Sequence, residues 1–342
     1  MTRRVVLLAH EGFPDRAKTA VGVLRYADVE VVAVLDREIA EVDDDARVSD
    51  YLDDVQDAPI VGRAADAPEF DALVVGIAPI GGGLDQSWRP DLQFALESGA
   101  DLISGLHYFL SEDERLATLA AEHDADIWDV RQPPSDLTVA DGVARDLDCE
   151  IVLSVGTDCS TGKMTVTREL YEAAVDRGLD AAFIPTGQTG IVIENWGIPI
   201  DRTISDFTAG AVERMLVERQ DHDYLFVEGQ GSITHPAYST VTCGILHGAM
   251  PDQLVMCHVA GREAIHGYES FEIPNPATVA NLYEQVAEPV APTEIVAGSL
   301  NTRGLDEDDA QEALDTYEAQ LRVPVADPVR EGPDAILEAI LE

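Results

Sequence analysis

The chain has 342 residues, 46% of them hydrophobic, with 22 Lys+Arg against 65 Asp+Glu and a formal net charge of −43. That length implies two domains with ordinary buried cores. The charge repels nucleic acid and excludes non-specific binding to it, and the lack of any run of 18 or more apolar residues means that no membrane-spanning helix is expected. The first residues, Met1-Thr2-Arg3-Arg4-Val5-Val6-Leu7-Leu8-Ala9-His10, have too short an apolar run for a secretion signal and no cleavage site. They read as a first strand of a cytoplasmic protein. Acid is spread along the chain, as at Glu41-Val42-Asp43-Asp44-Asp45 and Asp306-Glu307-Asp308-Asp309, the pattern of a solvated surface adapted to high salt. Self-association into a homo-oligomer is expected for an acidic chain of this size in salt.

In chain order, Arg4–Ala9 predicts a strand, Lys18–Tyr26 a helix, Val29–Leu35 a strand and Ala72–Ile77 a buried strand ahead of the glycine-rich turn Ala78-Pro79-Ile80-Gly81-Gly82-Gly83. Pro90–Ser98 reads as a helix stopped by Gly99, Asp101–Ser104 as a strand, Glu112–His123 as a helix and Asp126–Val130 as a strand. Strands alternating with helices imply parallel βαβ units and a Rossmann-like sheet. No G-x-G-x-x-G follows the first strand, where the turn is His10-Glu11-Gly12-Phe13-Pro14, so the topology alone identifies no dinucleotide. The turn after Ile77 either approaches a ligand or simply joins strand to helix. A second series begins at Asp148. Strands are expected at Glu150–Val155, Ala181–Pro185, Asp223–Glu228, Gln253–Val259 and Glu294–Ser299. Helices are expected at Lys163–Arg177, Asp206–Arg219, Pro276–Ala287, Glu307–Gln320 and Pro333–Leu341.

Between the strand at Glu150 and the helix at Lys163 lies Gly156-Thr157-Asp158-Cys159-Ser160-Thr161-Gly162-Lys163-Met164-Thr165. Glycines let backbone N–H groups wrap a phosphate, the helix N-terminus adds partial positive charge, and the lysine reaches phosphate oxygens. Only two lysines occur in the chain, Lys18 and Lys163, which singles out the one in the loop. Gly156 stands one residue farther from Gly162 than in G-x-x-x-x-G-K-[ST], and Met164 replaces the hydroxyl that would hold magnesium, although Thr165 is adjacent and Asp158 near. Cys159 is either a small residue fitting a tight turn or a reactive thiol. The four cysteines, Cys149, Cys159, Cys243 and Cys257, contain no CxxC pair, and no metal site is expected from the histidine spacing.

The strand Tyr224-Leu225-Phe226-Val227 ends at Glu228-Gly229-Gln230-Gly231-Ser232. A carboxylate there suits a metal ligand, a general base or a turn. Pro185-Thr186-Gly187-Gln188-Thr189-Gly190 reads as a flexible polar loop able to hold a small polar substrate through Gln188 and Thr189. Arg202, in Asp201-Arg202-Thr203, is either a carboxylate fork or a structural ion-pair partner. Asp206 is a second candidate base. His235, in Ser232-Ile233-Thr234-His235-Pro236, serves proton transfer or is inert.

These motifs resemble the dethiobiotin synthetase-like branch of P-loop proteins. Gly156-Thr157-Asp158 with Gly162-Lys163, Glu228-Gly229-Gln230-Gly231, the stretch from Asp206 to Glu213, and Asn301-Thr302 carry that likeness over roughly residues 150–342. The whole chain more closely resembles a two-domain family associated with D-glutamate N-acetyltransferase activity. The matching segments are Gly76-Ile77-Ala78-Pro79 with Gly81-Gly82, Ser104-Gly105-Leu106-His107, Asp129-Val130-Arg131, the Cys159 loop, and Asp327-Pro328-Val329-Arg330. The expected fold class is therefore α/β with two parallel-sheet domains, Rossmann-like over residues 1–145 and P-loop NTPase-like over residues 146–342. The resemblance implies an enzyme that moves acetyl from acetyl-CoA to the amino group of D-glutamate or a related small amino acid. In that reading Glu228 or Asp206 is the base, Lys163 and backbone amides stabilise the oxyanion, and Arg202 binds a carboxylate. The alternatives are a Mg-ATP-dependent ligase or kinase and a nucleotide-binding regulator without turnover.

Overall fold

A computed structural model describes the whole chain except residues 1, 78, 80 and 81. The glycine-rich turn that starts at Ala78 therefore lies partly outside the described residues. The chain forms two compact units, Met1–Pro133 with Gln188–Pro199 and Pro134–Gly187 with Ile200–Glu342.

The first unit contains β1 (Arg4–Leu8), α1 (Lys18–Tyr26), β2 (Glu30–Leu35), α2 (Arg37–Val42), β3 (Ile60–Val61), β4 (Ala72–Val75), α3 (Arg89–Glu97), β5 (Asp101–Ser104), α4 (Glu114–His123) and β6 (Ile127–Asp129). Its six strands are all parallel in the order β3-β2-β1-β4-β5-β6, the winding of a Rossmann sheet. Alternation along β1 sends Val6 and Leu8 into one core and Val5 and Leu7 into another. This two-faced burial explains why the strand reads as a continuous apolar run. At the end of β2, where a dinucleotide fold often places a ribose-binding acid, Asp36 is already committed. Its Oδ1 caps α2 by accepting from Glu38 N and Ile39 N, and its Oδ2 accepts from Gly12 N and Phe13 N.

The second unit begins with β7 (Glu150–Gly156), α5 (Lys163–Asp176) and β8 (Ala181–Ile184). The chain then supplies α6 (Gln188–Glu194) to the first unit before returning. There follow α7 (Thr208–Glu218), β9 (Tyr224–Val227), α8 (Ser239–Ala249), β10 (Gln253–Val259), the hairpin strands β11 (Ala264–Ile265) and β12 (Tyr268–Glu272), α9 (Pro276–Ala287), β13 (Glu294–Asn301), α10 (Glu307–Leu321), β14 (Val325–Ala326) and α11 (Asp334–Leu341). The main sheet is again all parallel, β14-β13-β10-β7-β9-β8. β7 thus runs through its interior with both neighbours hydrogen-bonded. Val152, Phe226, Val255 and Ala297 from this sheet pack with Val166 and Leu170 of α5 and Ile336 of α11.

Three helices depart from the sequence reading. The short α2, which Asp36 caps, was not anticipated. The stretch around Gln188 and Thr189, expected as a flexible loop, is the start of α6, whose Ile191 packs into a core with Ala20 and Val23 of α1. α8, not anticipated, is rich in β-branched residues and glycine, which are poor helix formers. Tertiary packing overrides that weakness: a Cβ at Gly248 would lie 2.6 Å from Ala209 O, and one at Gly244 2.4 Å from Thr208 Cγ2. The glycines let α8 lie directly on α7.

Candidate functional site

The loop from Gly156 to Gly162 leaves the buried end of β7 and enters α5. Ser160 (φ 53°) and Gly162 (φ 100°) both take left-handed conformations, which turn successive backbone N–H groups to one side and form an anion-binding concavity. Gly162 is the N-cap of α5 and no side chain caps the helix, so its first-turn amides are left for an incoming anion. The glycine at 156 is required by space: a Cβ there would lie 2.6 Å from Thr161 Oγ1 and 3.2 Å from Lys163 Nζ.

Lys163 is buried, and its ammonium donates to Asp158 O at 2.8 Å and Thr161 Oγ1 at 3.3 Å. It curls over the loop rather than reaching into solvent. Burial draws its pKa below the usual lysine value, because a desolvated cation lacks the hydration it would have in water. An anion in the cradle would restore that stabilisation.

Asp158 is a strut. Its fully buried carboxylate accepts Cys159 N at 2.6 Å through Oδ1, and Arg262 Nη1 at 3.1 Å and His266 N at 2.9 Å through Oδ2. Arg262 also donates to Cys159 O at 2.8 Å. The hairpin β11–β12 is thereby fastened to the loop. Thr157 N donates to Cys257 O, and Thr157 Oγ1 lies 2.7 Å from His258 Nδ1. Burial, with Arg262 nearby, pushes the His258 pKa down to about 4, so that ring is neutral at physiological pH. Tyr283 OH closes the back of the site by donating to Gly156 O at 2.9 Å while accepting from Ile233 N at 3.0 Å.

Glu228 is also buried. Its Oε2 accepts Thr186 N and Gly187 N, each at 3.1 Å, and its Oε1 accepts Gln230 Nε2 at 2.9 Å. Desolvation raises its pKa despite these donors and the Lys163 charge, which pull the other way. The turn after it presses on the P-loop: a Cβ at Gly229 would come within 1.8 Å of Ser154 O and 3.3 Å of Lys163 Cδ. Carboxylate and lysine are therefore neighbours in one buried site.

His235 lies at the same loop, its Nε2 4.0 Å from Asp158 Oδ1. Its Nδ1 accepts Ala237 N at 3.1 Å and Tyr238 N at 3.2 Å. Asp158, Cys159 and His235 each offer a ligand atom within 4.8 Å of the others, although no metal was expected. The hydrogen bonds oppose one. Two amides donating to Nδ1 place the ring proton on Nε2, the atom a metal would need.

The remaining sequence candidates are dispersed. Cys159, Met164 and Thr165 are partly exposed and Ser160 is exposed on the loop. Arg202 and Asp206 are exposed on short turns before α7. Gln188 and Thr189 belong to the first unit, where Thr189 Oγ1 pairs with Thr19 Oγ1 at 2.9 Å and Gln188 lies against Gly105. Arg262, His266, His258 and Tyr283, which build the site, were not singled out. They stand about a hundred residues or more beyond the loop and share no local motif with it.

A buried lysine and uncapped helix amides at the head of a parallel sheet, in a chain that also carries a Rossmann-wound sheet, define a two-domain P-loop protein. Comparison with known families is consistent with this. The profile of a P-loop domain of unknown function, DUF1611, matches residues 138–337, and the profile of its Rossmann-like N-terminal domain matches residues 42–133. The chain belongs to the DUF1611 family. It is 37% identical over 269 residues to a D-glutamate N-acetyltransferase of Tritonibacter scottomollicae, and 35% identical over 266 residues to one of a Pseudoalteromonas species, each match covering 78% of this chain and 80% of the relative. A crystal structure of a DUF1611 family protein from Anabaena variabilis superimposes with a TM-score of 0.91 at 38% identity over 99% of both chains.

Proposed function

We propose that this protein is an N-acetyltransferase that moves the acetyl group of acetyl-CoA to the amino group of D-glutamate or a related amino acid. The observation that carries the reading is the contiguity of the P-loop cradle with the buried Glu228 carboxylate; the names of the two relatives support it. The residues suit coenzyme A: the α5 amides and Lys163 would hold its phosphates, and no magnesium ligand is required for that grip. When bound, acetyl-CoA supplies an activated thioester. Glu228, made more basic by burial, takes the proton from the acceptor amine as nitrogen attacks the carbonyl carbon. The C–N bond forms, the C–S bond breaks, and coenzyme A leaves as thiolate. Of the two candidate bases, Glu228 is favoured over the exposed Asp206.

The test is a thiol-release assay of purified protein in high salt with acetyl-CoA and D-glutamate, with L-glutamate and Mg-ATP as parallel arms. Free coenzyme A and N-acetylglutamate are expected in the first arm. A folded protein that releases no thiol, or that turns over only ATP, rejects the proposal.

A further inference from the structure

We infer that His235 is a fixed hydrogen-bond donor to the carbonyl oxygen of the acyl group, rather than a proton acceptor; this rests on the acetyltransferase reading above. The argument begins with local chain chemistry. In His235-Pro236-Ala237-Tyr238 the proline has no N–H, so the first amides that can return to the ring are those of Ala237 and Tyr238. Both do, at 3.1 and 3.2 Å from Nδ1. An amide N–H only donates, so the Nδ1 lone pair is occupied and the proton of the neutral ring sits on Nε2. A histidine with that tautomer has no free lone pair with which to act as a base.

The ring cannot turn away from this arrangement. Tyr238 packs on it at 4.6 Å between centroids and Tyr268 meets it edge-on at 5.1 Å, leaving His235 1% exposed. Tyr268 belongs to β12, in the hairpin that Arg262 and His266 tie to Asp158, so the loop, the hairpin and the ring form one assembly. Nε2 faces that loop. Asp158 Oδ1 is 4.0 Å away, beyond hydrogen-bond reach, and accepts from Cys159 N. Burial also lowers the ring's affinity for a second proton, which keeps the donor neutral. A neutral N–H oriented in advance stabilises an oxygen that gains charge as the amine adds, with no reorganisation at the moment of reaction.

Two substitutions separate the donor from the turn it caps. Asparagine at 235 can still accept the two amides through its carbonyl but is too short to reach where Nε2 stands. Glutamine can reach it with an amide N–H. His235→Asn is expected to lower kcat by roughly 10²–10³-fold, as loss of one oxyanion donor does, with KM for acetyl-CoA little changed; His235→Gln should recover at least a tenfold part of that. Selective ¹⁵N-histidine NMR of the wild-type chain near neutral pH, with the resonance assigned through His235→Gln, should show an unprotonated Nδ1 and a protonated Nε2. The opposite tautomer, a doubly protonated ring, an unchanged kcat in His235→Asn, a loss confined to KM, or a folded His235→Gln as slow as His235→Asn would each overturn the inference. Absence of thiol release in the wild type removes the acetyltransferase reading and this role with it, whereas a wrong tautomer alone leaves acetyl transfer standing.

Discussion

Replacing Lys163 by methionine should separate stability from binding. The ammonium is buried and, among the described residues, hydrogen-bonds two neutral oxygens, Asp158 O and Thr161 Oγ1, and burial lowers its pKa. A cation whose folded pKa lies below its unfolded value destabilises the fold at all pH below the folded pKa. The penalty fades as pH rises toward the unfolded value of 10.5. Methionine has similar volume and is a good helix former for the first position of α5, and exchanging a buried charge for an apolar side chain ranges from neutral to about 1–4 kcal/mol stabilising. For a domain of roughly 200 residues each kcal/mol moves the midpoint by about 2–4 °C. Calorimetry is the suitable readout, because all three tryptophans, Trp88, Trp128 and Trp196, lie in the first unit and their fluorescence does not follow the P-loop unit. Losing the charge-assisted contact to phosphate should weaken coenzyme A binding by about 2–5 kcal/mol, a roughly 30- to several-thousand-fold rise in Kd by isothermal titration. A variant that unfolds more easily than wild type, or that binds coenzyme A as tightly, would show that the lysine is structural and that the loop is not an anion cradle.

Further expectations concern the surrounding residues. Glu228→Gln should abolish turnover while leaving the apo fold as stable or more stable at neutral pH: its carboxyl pKa is raised in the fold, so stability falls as pH rises from the unfolded value through the folded one, and a urea titration across that window should lose its slope in the variant. His258 has the opposite dependence on pH. Its folded pKa of about 4 lies below the ordinary histidine value of 6.5, so stability is complete above 6.5 and falls by up to about 3 kcal/mol as pH drops between the two; His258→Asn should flatten this part of the acid-denaturation curve. Gly229→Ala would set a methyl 1.8 Å from Ser154 O, forcing the turn after β9 away from β7, and should destabilise the P-loop unit by about 1–3 kcal/mol or more in calorimetry. Asp158→Ala should release the hairpin at 264–272 from the loop, seen as faster limited proteolysis within it.

Where a structure is built from neighbours in the chain, the sequence determined it. The P-loop is one contiguous strand, turn and helix, so its glycine spacing and single lysine were legible, as were the long apolar runs of β1, β7 and β10, which emerge close to their expected bounds. The resemblance that pointed to the family rests on the same contiguous motifs. Tertiary structure alone decided the two-residue edge strands β3 and β14, too short for any periodicity, and α8, whose weak helix formers are compensated by glycine contacts with α7. It assigned Gln188 and Thr189 to a helix of the other unit, and made Asp158 a strut for Arg262 and His266, more than a hundred residues later. It also distinguished two acids that look alike as letters: Glu228 is buried and Asp206 is exposed. Residue type states which protons a side chain can exchange; how readily it does so depends on how much water remains around it, and that is fixed only when distant segments close over the site.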